Sequence, residues 1–240
     1  NLEVLRKVMP NIYDIILDVG LERTASRVND MGKEIARLAS GDGVAPKRTE
    51  ANALGRWWKK LTGVDTSNPP SGLSSIRKLP RLKNAPPKEL QLILSHMVPK
   101  FIPKGQALFL EGDTGDSVFL LVDGCIEVKR NVRGGRAEPL ANLFSGALFG
   151  TGSLLLKERR NAACVAAENT DCWAFELNSE AYKKLKGTAG RIFRESLLFS
   201  LAFQLRNADD KLIVLKTGQR PKQSDYDLIR GDLAGFQGRG

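Results

Sequence analysis

Cysteine and histidine are scarce in this chain. Cys125, Cys164, Cys172 and the single His96 are spread over 240 residues, with no C-x-x-C pair and no second histidine. That usage gives no basis for a disulfide scaffold, a structural zinc site or histidine-based catalysis, and it suits a reducing intracellular compartment. Long apolar runs are missing too. LLFSLAF (197–203) is the kind of run present, far short of the roughly 20 residues that cross a bilayer, so no transmembrane segment is expected. No P-loop, Ser-His-Asp arrangement or metal-ligand cluster is found, which speaks against an enzyme and against a bound metal or cofactor.

What the chain has is positive charge, unevenly placed. The formal net charge is +10, and residues 1–100 hold 17 Lys and Arg against 10 Asp and Glu. A basic front half points to an acidic partner surface. The chain starts at Asn1, not Met, so an N-terminal segment is expected to have been removed. Had that segment been a transit peptide, an organelle interior would be the destination.

Residues 2–39 carry apolar side chains at helical spacing, from Leu2, Leu5 and Val8 to Ile12, Ile16 and Val19, with Pro10 as a break. A second helical piece is expected from Leu21 to the stop signal SGDG (40–43), and ANALGRWWKKL (51–61) reads as a short basic helix. Trp57, Trp58, Lys59 and Lys60 place aromatics among cations, a composition that makes interface anchors against acidic surfaces. The turn formers of TGVDTSNPPSG mark a linker. These readings divide the chain into a basic helical extension (1–65), a linker (66–72), a main domain (73–216) and an extended tail (217–240).

Within the main domain a helix starts near Pro86 or Pro87. From 101 to 177 the pattern changes to short strands between glycine-acid turns: QALFL (106–110), SVFLLV (117–122), CIEVK (125–129), ACVAAE (163–168) and CWAFEL (172–177). Asp123-Gly124 between two apolar runs predicts a hairpin. Asn178 or Ser179 caps the next helix, and residues 189–216 form a long amphipathic one. The expected fold is α+β: an antiparallel β jelly roll flanked by helices, with an N-terminal helical extension.

Several motifs together carry a family resemblance. LPRLKNAPPKELQLILSHM is followed by Phe101, Gly105, Leu108, Phe109, Glu111, Gly112, Asp113, Gly115 and Asp116 in order, then by LLVDGCIEV, then by GALFG with Arg160 ten residues on. Over residues 73 to 210 this pattern resembles the cyclic nucleotide-binding domain family. The resemblance implies a phosphate-binding cassette at Phe149, Gly150, Thr151, Gly152, Ser153, Arg160, Asn161 and Ala162, with cAMP or cGMP as ligand. The chemistry is plain: backbone N–H groups after Gly150 meet one phosphate oxygen and the guanidinium meets the other. Ala162 is small enough to let the phosphate approach.

One position departs from the family pattern. Thr151 stands where the family has a glutamate that accepts a hydrogen bond from the ribose. Losing that contact is worth about ten- to a hundredfold in affinity. Gly152 loosens the short helix, and Glu158 is expected to pair with Arg159 or Arg160 and compete with phosphate. The pocket therefore reads as degenerate. The expected function is a non-catalytic structural or linker subunit of a larger protein assembly, with a cAMP- or cGMP-responsive regulatory sensor as the alternative. Arg77, Lys78, Arg81 and Lys83 form a basic run, but nothing beyond charge points to nucleic acid. The 217–240 tail is too short and glycine-rich for a helix-turn-helix.

Overall fold

Proline sets the first boundary. Helix α1 (Leu2–Val8) gives way at Met9, and α2 (Pro10–Ala39) restarts on Pro10, whose missing N–H costs nothing at a first helical position. The computed structural model describes residues 2–39, 69–131 and 137–218. The expected second start at Leu21 is absent, because Gly20 sits inside α2 without breaking it. Trp57, Trp58, Lys59 and Lys60, the first three linker residues (66–68) and nearly all of the tail lie outside the described residues.

Helix α3 (Gly72–Ile76) is capped by Ser71 Oγ, and α4 (Pro87–Ser95) begins with Pro86 and Pro87 as expected. Eight strands follow among the described residues: β1 (Val98–Ile102), β2 (Ala107–Phe109), β3 (Ser117–Asp123), β4 (Cys125–Asn131), β5 (Ala137–Phe144), β6 (Leu148–Phe149), β7 (Ala163–Ala166) and β8 (Cys172–Asn178). The short α5 (Thr151–Leu156) separates β6 from β7. Helix α6 (Ser179–Lys184) is capped by Asn178, whose side chain accepts from the Ala181 N–H, and α7 (Gly187–Thr217) closes the described chain.

The strands form two four-stranded antiparallel sheets, β1-β8-β3-β6 and β2-β7-β4-β5. This is the jelly-roll arrangement the strand pattern predicted. The Asp123-Gly124 expectation needs correction. β3 pairs with β6 and β8 while β4 pairs with β5 and β7, so this turn is not a hairpin but the corner where the chain changes sheet. Gly124 has φ 86°, and a Cβ there would lie 2.4 Å from the Asp171 carbonyl oxygen. The corner needs glycine for its backbone angle and for the space.

Strand β3 is buried from Ser117 to Val122, and period-two alternation explains why. Val118, Leu120 and Val122 join the core shared with the helices, whereas Phe119 and Leu121 point between the sheets. β8 does the same with Phe175 and Leu177 against Cys172 and Ala174. The larger core also takes in Tyr13, Leu17, Leu21 and Ala25, one face of α2, with Phe193 and Leu197 of α7. Ion pairs tie the two long helices together at both ends. Arg191 Nε donates to Asp14 at 2.9 Å, Arg194 reaches the same carboxylate at 3.0 Å, and Lys216 lies 3.8 Å from Glu34. The front of the chain is thus packed onto the jelly roll.

Candidate functional site

The site grows from a conflict in the local backbone. Gly150 takes φ 76° between β6 and α5, a left-handed angle that lets the chain turn sharply into the short helix. A Cβ at Gly150 would lie 2.7 Å from Arg160 Nη1, so glycine also leaves room for the guanidinium. At the far end, Lys157 (φ 56°) reverses the chain into the arm 158–162. The arm is held by its backbone: the Arg160 N–H donates to the Asp113 carbonyl at 2.8 Å, and Arg160 O accepts from the Gly112 N–H at 2.7 Å. The β2–β3 turn and the arm therefore move as one piece.

This arrangement turns the Arg160 side chain inward, where only 5% of the residue is exposed. Nη1 donates to the Ser117 carbonyl at 2.8 Å and to the Gly150 carbonyl at 2.9 Å, and Nη2 donates to Ser117 Oγ at 2.9 Å. The guanidinium lies over the Phe109 ring, 4.3 Å from its centre, and Phe109 in turn meets Phe119 and Phe149. Nε has no acceptor, and no carboxylate lies within ion-pair distance of Arg160 among the described residues. Burial pulls the guanidinium below its ordinary pKa; Glu176, Asp116 and Asp113 offset this from a distance.

Those three carboxylates are engaged elsewhere. Glu176 accepts from Ser117 Oγ at 2.8 Å and pairs with Lys100 at 3.1 Å. Asp116 accepts from Ser179 Oγ at 2.6 Å, and Asp113 accepts from the Leu110 N–H. Beside the guanidinium opens a cavity of about 540 Å³, lined by Lys100 and Glu176, by Phe109 and Phe119, by the 113–117 turn and by Arg159 and Arg160. It is polar on one wall and aromatic on the other, and its positive charge is incompletely paired.

The expected cassette residues come together around Arg160, but they do not play equal parts. Phe149, Thr151, Ser153 and Ala162 are buried, Gly152 is half-buried and Asn161 is exposed. Of the expected set, Arg160 alone lines the cavity. Thr151 is packed at the first turn of α5. The expected Glu158 pairing is overturned: its carboxylate accepts from Asn29 Nδ2 on α2, and Arg159 donates to the Gly112 carbonyl. No α7 residue lines the cavity. Ser117, Lys100 and Glu176 were missed, since each is an ordinary strand residue until sheet pairing sets β8 beside β1 and β3.

The comparison with known proteins agrees with this fold. A family model described as the cyclic nucleotide-binding domain matches residues 99–185. Residues 99–185 form a cyclic nucleotide-binding domain. The Thermus thermophilus cyclic AMP receptor protein is 33% identical over 144 residues, covering 60% of this chain and 65% of that protein. The regulatory subunit of cAMP-dependent protein kinase from Neurospora crassa is 31% identical over 124 residues, covering 51% of this chain and 31% of that protein. This chain thus spans less than two thirds of either relative's length. A solved cyclic nucleotide-binding domain from Methylobacillus flagellatus shares the fold, with a TM-score of 0.54 at 22% identity over 63% of this chain and 84% of that one.

Around the domain, much of the basic run at 77–83 is spent on internal contacts. Arg77 donates to the Lys83 carbonyl, Lys78 to Ser145 Oγ, and Arg81 lies 3.5 Å from the buried Glu195. None of the described helices is long and apolar enough to cross a membrane. Cys164 and Cys172 are buried in strands, and desolvation pushes their thiols up to about 12 and about 11. Both are core residues, and neither lines the cavity.

Proposed function

We propose that the 99–185 domain binds a cyclic nucleotide and acts as a non-catalytic regulatory element, with Arg160 taking the cyclic phosphate. The observation that carries this reading is the buried guanidinium: it meets neutral acceptors only, keeps one N–H unpaired and borders a cavity. A buried charge without a partner ion is costly, and a bound anion offsets that cost. Binding exchanges neutral carbonyl acceptors for a charged oxygen, which forms the stronger hydrogen bond. Ser117 and Glu176 keep the fork oriented while that exchange takes place.

Thr151 leaves the sugar end of the site weaker, so the affinity is expected to fall about ten- to a hundredfold below that of a cassette with a carboxylate there. The names of the relatives, a cyclic AMP receptor and a regulatory subunit, support the same class of role. Calorimetric titration of the full chain with cAMP and with cGMP tests the reading. Micromolar binding that disappears in Arg160→Ala is the expected result. Absence of heat up to millimolar nucleotide, with the chain folded, overturns it.

A second reading, a structural role within a larger assembly, is favoured by one surface. Val8, Ile12, Ile15 and Val19 lie exposed on α1 and α2, opposite the buried face, at the four-three-four spacing of a coiled-coil seam. A second apolar helix is the partner such a seam fits. Sedimentation of the wild type against Ile12→Glu/Ile15→Glu tests it: a common monomer mass for both dismisses a second copy as that helix.

A further inference from the structure

We propose that Asn29, on the N-terminal helix and outside the 99–185 domain, is a positioning residue for the arm that carries Arg160. The proposal rests on the nucleotide-binding reading above and adds a structural component to the site. Asn29 is 4% exposed, at the position where the buried stripe Tyr13, Leu17, Leu21, Ala25 continues one turn further along α2. A polar residue in that stripe calls for partners, and it has two. Its Nδ2 donates to Glu158 Oε2, and its Oδ1 accepts from Asn161 Nδ2 at 3.1 Å.

The two partners flank Arg160 in the chain. While the backbone of Arg160 is fixed to Gly112 and Asp113, the side chains of Glu158 and Asn161 reach α2, so the arm is held from opposite directions. A carboxamide suits the task because one planar group offers both a donor and an acceptor. An aliphatic side chain there would leave Glu158 and Asn161 without these partners. Three residues on, Gly32 brings α2 close to β4: a Cβ on it would lie 2.9 Å from Arg130 Nη1. Arg130 in turn reaches Glu111, the residue before Gly112, at 3.3 Å. Helix α2 therefore touches both halves of the clamp, the arm through Asn29 and the β2–β3 turn through Arg130.

Arg160 holds Ser117 and Gly150 at hydrogen-bond distance, and such geometry degrades with small shifts of the arm. Nucleotide occupancy and the seating of α2 act on the same residues, so each biases the other. The site is incomplete without the N-terminal helix.

The test uses the full chain with Asn29→Ala, Asn29→Asp and the pair Asn29→Asp/Glu158→Gln. The single aspartate sets two carboxylates together. In the pair, the new carboxylate accepts from both amides and the two hydrogen bonds return. Hydrogen exchange of amides 158–161 without nucleotide is expected to quicken in both single variants and to return to the wild-type rate in the pair. cAMP affinity is expected to fall roughly tenfold in the singles, the lower end of what losing a hydrogen bond at a charged group costs, and to recover in the pair. Unchanged exchange in Asn29→Ala overturns the proposal, as does failure of the pair to rescue exchange. If Asn29→Ala does not fold, Asn29→Asp against the pair decides the matter alone. Quickened and rescued exchange in a chain whose wild type binds no nucleotide upholds the positioning role and removes the nucleotide reading instead.

Discussion

Leu21→Ala asks whether the N-terminal helix is an appendage or part of the domain's own core. Leu21 is 1% exposed and belongs to the cluster that also holds Ile76, Leu90, Phe193 and Leu197. Truncation removes its buried methyl groups and leaves a void between α2 and α7, which relaxes only partly because both ends of the pair are tied by ion pairs. Losses for such sites are about 2–5 kcal/mol, and a central value of about 3 kcal/mol fits a residue packed on all sides. For a chain of this size that corresponds to a fall in melting temperature of about 6–12 °C. Differential scanning calorimetry of the full chain is the assay. The expected trace has the jelly roll and α2 melting in one transition that moves as a whole. Two transitions, with the jelly roll still melting at the wild-type temperature, would refute the reasoning and make residues 1–65 a separate unit.

Two further outcomes are expected. In Gly115→Ala the new methyl would lie 2.6 Å from Arg160 Nε, so the guanidinium is pushed off Ser117; cAMP affinity measured by calorimetry should fall at least about tenfold, and full affinity would contradict the placing of Arg160. Asp14 is held below the usual carboxylate range, first by the hydrogen bond from Arg191 and further by the charges of Arg191 and Arg194. Its stabilising share is complete above the unfolded value of about 3.9 and is lost as pH falls through the lower folded value. Asp14→Asn should therefore melt below the wild type at pH 7, with the gap closing as the pH drops below about 4; a gap independent of pH would show that the carboxylate's charge is not what holds α7.

Much of this molecule could be read from local sequence, and for a local reason. Period-two alternation, Pro at a helix start, Asn178 at a cap and Gly150 before a short helix each describe what a few consecutive residues do to their own backbone. Strands and helices followed from such signals, whereas the cassette and the place of Arg160 in it were what the family resemblance implied. The turn at Asp123-Gly124 shows the limit. Its residues suit a hairpin, yet the choice between closing a hairpin and crossing to the other sheet rests with β8, about fifty residues later.

The site's electrostatics lay beyond reach of the sequence for the same reason. Which acceptor a buried guanidinium meets depends on the closure of distant segments: Ser117 is 43 residues from Arg160, and Asn29 is 129 from Glu158. Glu158 beside two arginines reads as their partner along the chain, but the fold sends it to α2. A helical period shows that α2 has an apolar face without saying what that face covers. The amino-acid order determined the elements, and a family resemblance named the cassette residues. The packing of α2 across α5 and α7 decided which of those residues face the cavity and which hold the arm, because burial and hydrogen-bond pairing are properties of the closed structure.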